Sequence, residues 1–535
     1  MKTNYFQKLE KTLGGIKLAV VLILTFTAFM IVGTLLESSF GADYANRMVY
    51  KRLPFMLVQF GMFLSILFAA FLRLPPKKRL YGFYTIHTGL ILLGCGSFVT
   101  WYSGIDGSMA LTQNNPARRV ELTDDVFFLE DVAEGKIYTK KLPYTGLTTD
   151  LTDEIKGIKI KKFLPFSDNG LEWLDTSDSF PSSQYMLFNN NITQDFVLSL
   201  NPKAPDFKST LTMGKLNLHY LPGDLAECFK KDSPSKLIIW NLETKNCFTP
   251  EEKKITVKTS KQGNRFFVLP KSLSPNMVSF FPEFSPWPLD IKLKINQSSS
   301  FRVLSKKLFE EAPTLFLFGD KLSYFFDGKW EFKNIERNSS IQLPWMGFEL
   351  KLLNHATNKI PAYIPYYSKP VMAKGQVVSG AQKAILVEVR GKEHWITDNS
   401  NISLLIDGKK YVLGIKKSHM DLPFEFTLTK FKMDHNPGTM DPASYESFVR
   451  LFTKEGPSEH HIFMNNPLKY SGFTFYQASY FKDENENYGT VLSVNADPGR
   501  PIKYFGAFLV ILGSIWHFVI RSDSFKRNAT LAEAT

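Results

Sequence analysis

Cysteine is scarce in this chain: three in 535 residues, at positions 95, 228 and 247. So few thiols exclude a disulfide-dense scaffold. No CxxC, CxxCH, paired CxxC or HExxH occurs, which argues against a covalent c-type haem in this chain, a thioredoxin-like site and a zinc protease. No G-x-S-x-G, Walker A or Rossmann glycine pattern stands out either. Recognisable nucleic-acid modules are also missing, although Lys and Arg number 64 against 51 Asp and Glu. The excess is at the chain ends: residues 102–502 hold 49 basic and 46 acidic side chains, the remainder 15 and 5. A nucleic-acid reader clusters its basic charge on one module, so this distribution speaks for charge flanking membrane spans and for no nucleic-acid partner.

The ends also carry the long apolar runs. The first spans residues 17–36, KLAVVLILTFTAFMIVGTLL, the others 54–72, 81–100 and 504–520. About 20 residues cross a hydrocarbon core of ~30 Å. The first run is too long for a signal peptide, and no clear A-x-A site follows it, so an uncleaved anchor is expected. Short basic loops set orientation. Lys2, Lys8, Lys11 and Lys17, then Arg73, Lys77, Lys78 and Arg79, then Arg521, Lys526 and Arg527 all fall on one side, which should be the cytoplasm. Arg47, Lys51 and Arg52 pull the other way from the opposite loop. Eleven against three sets the orientation, with residues 102–502 on the exported side.

That stretch reads as β-rich. VFFLEDV, KLIIWNL, ITVKTS, RFFVLP, AILVEV and YVLGIKK are short apolar or alternating runs bounded by Gly, Pro, Asn and Asp, the texture of antiparallel sandwiches and barrels. The expected fold is therefore four transmembrane helices with a large antiparallel, sandwich- or barrel-like β domain between the third and fourth. Residues 1–101 form an N-terminal membrane domain, 102–502 the exported domain, and 503–535 the last helix and a cytoplasmic tail. A weak repeat runs through the β region: LPWMGFELKLLNHATNKIPAYIPYYSKPVM from Leu343 resembles LPFEFTLTKFKMDHNPGTMDPASYESFVRL from Leu422, with a fainter echo at Leu142. Stacked β units would produce it; so would two similar hairpins chosen by turn chemistry.

Few side chains point to chemistry. His219, His355, His394, His419, His435, His460 and His461 are scattered, and no spacing ties a serine, histidine and aspartate together. Cys228 and Cys247, 19 apart, suit a structural disulfide in an oxidising compartment; Cys95 lies within the third span. Two histidines are in membrane runs. His87 sits about two turns inside the third span and His517 about one turn inside the fourth, beside Trp516. A buried imidazole in a bilayer faces protein or a cofactor, and its neutral form ligates haem iron. An interfacial Trp–His pair accounts equally for His517. Gly82, Gly89, Gly94 and Gly96 leave the third span little bulk, permitting close approach by another helix or a flat macrocycle.

The opening LGGIKLAVVLILTFTAFMIVGTLLE, the loop ESSFGADYA, the run from Leu422, and NNPLKYSGFTFYQASY from Asn465 together resemble the ResB (CcsB) family of system II cytochrome c biogenesis. The resemblance covers both membrane ends and the last third of the β region. It implies a subunit that, with a CcsA (ResC)-like multi-span partner, delivers haem b across the membrane and attaches it to apocytochrome c. It further implies that His87 is an axial haem ligand opposite one from the partner; His517 is the weaker candidate. The FYQASY strand could line a haem chamber, though aromatic strands at this spacing are more often sheet core. No self-contained catalytic site is legible, so a haem-free, membrane-anchored binding or chaperone module for exported proteins is the alternative reading.

Overall fold

The structure, a computed structural model, describes residues 5–521 apart from 78–79, 242–243, 260, 262–264, 269–277, 280–292, 296–298, 311, 374–375, 439–441 and 484–485. Lys2, Lys78, Arg79, Lys526 and Arg527, part of the orientation argument, lie outside the described residues. Four helices among them are long and apolar enough to cross a membrane: α1 (Ile16–Phe40), α2 (Leu53–Phe71), α3 (Tyr81–Ser103) and α4 (Arg500–Arg521). This is a membrane protein. α1 outruns its apolar core by four residues and ends at Gly41, whose N–H caps the Glu37 carbonyl at φ +88°. α2 opens with Pro54 in its first turn, where a missing N–H costs nothing.

α3 and α4 are bound through glycine. Gly82, Gly89 and Gly96 recur every seven residues on α3, as do Gly499, Gly506 and Gly513 along and just before α4. A Cβ at Gly89 would stand 2.5 Å from the Gly506 carbonyl oxygen, and one at Gly513 would stand 2.7 Å from the Ile86 nitrogen. The backbones therefore touch. Where lipid supplies no hydrophobic drive between helices, such close packing holds them together. Gly94 faces elsewhere, against the ring of Phe63 on α2. The glycine face expected to admit a helix or a macrocycle thus receives a helix.

By contacts the chain forms two compact units, residues 1–168 with 365–535, and residues 169–364. The division falls inside the β-rich stretch. In the first unit α3 runs directly into β1 (Ile105–Leu111) and β2 (Pro116–Asp131). There follow β3 (Ile158–Asp175), β4 (Val371–Ala373), β5 (Gln376–Ser379), β6 (Gln382–Val389) and β7 (Lys409–His435). β8 (Pro442–Thr453), β9 (Gly456–Ile462), β10 (Leu468–Tyr470), β11 (Phe473–Lys482) and β12 (Tyr488–Ala496) lead back to α4.

The main sheet runs β9-β8-β7-β2-β1-β12-β11-β10, and a bridge between Phe463 and Asn466 brings its two ends near each other. It wraps a core of Met109, Leu111, Val120, Phe424, Phe426, Phe475, Leu492 and Val494. β2 and β7 are long enough to serve a second core. Their register slips between Glu121 and Asp125; beyond the slip Phe127, Leu129, Leu413 and Ile415 pack with Ile160 and Phe163 of β3 and Ile385 and Val387 of β6. A bulge of this kind bends the ladder and re-aims a side chain. Here the re-aimed residue is Asp125.

The second unit is also β-rich, but one pairing is parallel: Leu216–Tyr220 against Thr314–Leu317. Its core holds Tyr185, Leu218, Leu315 and Leu350, with Cys228 and Phe229 in a neighbouring cluster. The sequence repeat is not a structural one. After Leu422, β7 and β8 pair with each other. After Leu343, the strand Glu349–Ala356 pairs with Ser182–Phe188, and Lys359–Tyr367 joins the sheet of β3. Leu350 and Leu352 bury against Tyr185 and Leu187, so each copy takes the partner its own apolar face demands.

Candidate functional site

His87 occupies α3 at about 140–160° round the helix from the glycine stripe, counting ~100° per residue. α4 therefore does not cover it. Its ring lies 3.7 Å from that of Phe83, and its Nδ1 is 2.9 Å from the Phe83 carbonyl oxygen. A carbonyl only accepts, so Nδ1 carries the proton and Nε2 keeps its lone pair. Phe83 is in turn covered by the Arg73 guanidinium, 4.6 Å above its ring, and the Tyr84 hydroxyl donates to the Arg73 carbonyl. The stack orients a half-buried imidazole whose neutral form would present Nε2 to ligate or accept. A backbone bond on the far nitrogen is the usual way a ligating histidine is oriented.

His517 stands elsewhere. Its backbone abuts Gly82, at 2.8 Å from where a Cβ would be. Gly82 is five residues from His87, or ~7.5 Å along the axis, so the structure does not bring the two imidazoles together. Trp516, beside His517, packs edge-on against Tyr81 with ring centroids 6.5 Å apart. Among the described residues no three His, Cys, Asp or Glu side chains gather as a metal site.

A second constellation joins the α1–α2 loop to the β strands, and the sequence reading missed it. Residues 42–50 coil into a short helical segment that buries Tyr44, Ala45, Arg47 and Val49. Arg47 is fully buried, its Nε 3.0 Å from Asp43 and its Nη2 2.7 Å from Asp125. Asp125 also receives Lys383 at 2.9 Å and Lys417 at 2.8 Å. The guanidinium lies 4.4 Å over the Tyr144 ring. Burial pushes the Asp125 carboxyl up, but Lys383 and Lys417 outweigh it and hold it below the ordinary 3.8. Burial, with Asp43 beside it, raises the Tyr144 hydroxyl to about 12. Of the three outward charges that opposed the orientation signal, Arg47 is thus paired inside the protein. An open cleft of about 460 Å³ beside this cluster is lined by Asp43, Lys51, Asp106, Glu121, Tyr144 and Lys417 among others.

At the mouth of α3 and α4 a second acid does similar work. Asp497 takes the Thr100 hydroxyl at 2.6 Å and Lys503 Nζ at 2.7 Å. Burial raises its carboxyl, and these bonds bring it below the usual 3.8.

Three of the scattered β-domain histidines pack against other side chains. In the second unit Ser183 Oγ is 2.8 Å from His355 Nδ1, a pairing with no signal in the spacing, but Ser183 is fully buried and also bonded to Tyr220 at 2.7 Å. A hydroxyl so enclosed cannot attack a substrate. Burial drops His219 to about 4, and it lies stacked 5.5 Å from Phe316. His461 stacks 4.2 Å from Phe448 and reaches Glu446 at 3.0 Å. Cys228 and Cys247 are disulfide-bonded, with Cα atoms 5.8 Å apart. In FYQASY, Phe475 is core, whereas Tyr476 is exposed and Gln477 bonds Ser447 and Thr490.

Residues 372–490, from β4 into β12, match the ResB-like family. Over 126 residues the chain is 35% identical to Protein NrfI of Wolinella succinogenes, a match covering 23% of this chain and 14% of NrfI.

Proposed function

We propose, on the premise that the chain belongs to the ResB-like family through residues 372–490, that it is the ResB-type subunit of a system II cytochrome c synthase. It works with a CcsA-like partner to deliver haem across the membrane and attach it to apocytochrome c. The observation that carries the reading is the family match over β4 to β12, the part of the β domain built on the apolar core of Phe426 and Phe475. In this account the β domain is on the periplasmic side and the α2–α3 hairpin in the cytoplasm, as the basic loops require.

Haem is the cargo. His87 suits one side of its iron: the ring is oriented by the Phe83 carbonyl and lies away from the α3–α4 contact, so that in its neutral form Nε2 would be the ligand. One histidine supplies one axial position, and the partner supplies the other. Phe83 gives an apolar flank, and Arg73 a positive charge near the hairpin. Beyond the membrane, the clamps at Asp125 and Asp497 fix the β strands to the helix ends. Attachment of two cysteine thiols to two vinyl groups is chiefly positioning, and a rigid mount for that encounter is what these clamps provide.

The test is maturation of a c-type cytochrome in cells lacking their own system, supplied with the partner and with or without this chain. Covalent haem on the reporter should require the chain. Equal maturation without it would refute the role, and a purified complex without Soret absorbance would favour the haem-free module instead.

A further inference from the structure

Most exposed apolar side chains of the first unit are on the membrane helices, where lipid accounts for them. One group outside the helices is not explained in that way. β4 and β5 form a separate two-stranded ribbon that pairs with no third strand among the described residues. Val371 is 50% exposed, Val377 43% and Val378 61%. Val377 and Val378 are adjacent in a strand, so they point to opposite faces, and both faces are open. An isolated two-stranded hairpin is marginal in water and needs a surface to lie against.

The ribbon's footing indicates which surface. Its base is tied by Asp168, which accepts from the Ser379 hydroxyl at 2.7 Å and the Gly380 N–H at 2.9 Å. Its flank rests on the end of α1. A Cβ on Gly41 would meet Met372 Sδ at 3.4 Å and Val377 Cγ2 at 3.8 Å. Lys369 Nζ stands 5.6 Å over the Phe40 ring. The apolar run of α1 closes at Leu36, and Gly41 follows five residues on, ~7 Å along a helix. Bilayer headgroup layers extend ~5–7 Å beyond the hydrocarbon on each side. The valines therefore continue the lipid-facing surface of α1, where Ile31 and Leu35 are exposed, into the headgroup layer. A lysine beside them is placed to meet lipid phosphate while its stem stays apolar.

We propose that the β4–β5 ribbon is a membrane-interface finger: Val371, Val377 and Val378 lodge in the headgroup layer of the leaflet on the β-domain side, beside α1. The finger gives the β domain a lipid foothold in addition to the helices. It depends on membrane residence of the chain and not on haem handling.

The experiment uses the full chain in nanodiscs of phosphatidylcholine and phosphatidylglycerol, with Cys95→Ser removing the free thiol. Val378→Cys and, separately, Val371→Cys carry an environment-sensitive fluorophore; Leu405→Cys, 71% exposed on another strand, is the reference. Two sites on separate strands guard against loss of fold at either. Lipid-borne nitroxide should quench the 371 and 378 labels several-fold more than the 405 label, and aqueous iodide several-fold less. Iodide quenching equal to that at 405 would overturn the proposal. Shielding from both quenchers would overturn it too, since protein and not lipid would then cover the ribbon.

Discussion

Replacing Asp125 by Asn tests whether the α1–α2 loop is held by a desolvated charge cluster. The amide keeps the shape and one acceptor but removes the charge, leaving Arg47 at 0% and Lys383 at 11% side-chain exposure without their shared carboxylate. Breaking one side of a buried ion pair costs ~3–5 kcal/mol. Lys417, at 36%, can turn to water and adds little. Arg47 retains Asp43, but that carboxylate is 50% exposed. These offsets place the loss near the lower end, ~3 kcal/mol, against a whole-domain stability of only ~5–15 kcal/mol. Hydrogen exchange of the full chain reads it locally: amides of residues 44–49 and 126–129 should open about a hundredfold more often. A change below about fivefold, the range of a surface pair, would refute the burial argument. Combining Arg47→Met, Asp125→Leu and Lys383→Met should recover most of the protection, because an apolar replacement of the whole cluster avoids the desolvation penalty.

Other consequences are as direct. Asp125 and Asp497 both have carboxyls held below 3.8, so their contribution is full above that value and disappears as pH falls through the lower folded value. Protection factors in the two clamps should then hold from neutral pH to about 4 and fall only in stronger acid; loss near pH 6 would contradict the assignment. Gly506→Val puts a Cβ 2.7 Å from the Gly89 carbonyl oxygen, overpacking worth at least ~1–3 kcal/mol; an unchanged thermal midpoint would contradict the contact. Removing the Cys228–Cys247 bond should cost ~3 kcal/mol for a loop of this size, seen as faster proteolysis within residues 169–364 and not in the membrane helices.

The membrane spans were legible because ~20 consecutive apolar residues is a one-dimensional signal. The strand texture was legible for the same reason, and VFFLEDV, AILVEV and YVLGIKK all lie in strands. Arg47 was not, because its partner Asp125 is 78 residues away in sequence, and Lys383, which shares that carboxylate, is 258 residues from Asp125; read alone, Arg47 counted as surface charge. The heptad glycines of α3 and α4 were each visible, but their meaning needs the two helices set side by side. Turn chemistry repeats after Leu343 and Leu422, yet partner choice follows burial of Leu350 and Leu352 against Tyr185, which no local pattern encodes. For His87 the sequence supplied the residue, and its orientation required the Phe83 carbonyl.

The central claim rests on His87 Nε2. The visible spectrum of the full chain purified with the proposed CcsA-like partner, unsubstituted and as His87→Gly, with and without imidazole, tests it most directly. The account predicts a six-coordinate b-type haem that the variant loses and imidazole restores. Haem of unchanged content and spectrum in His87→Gly would contradict it.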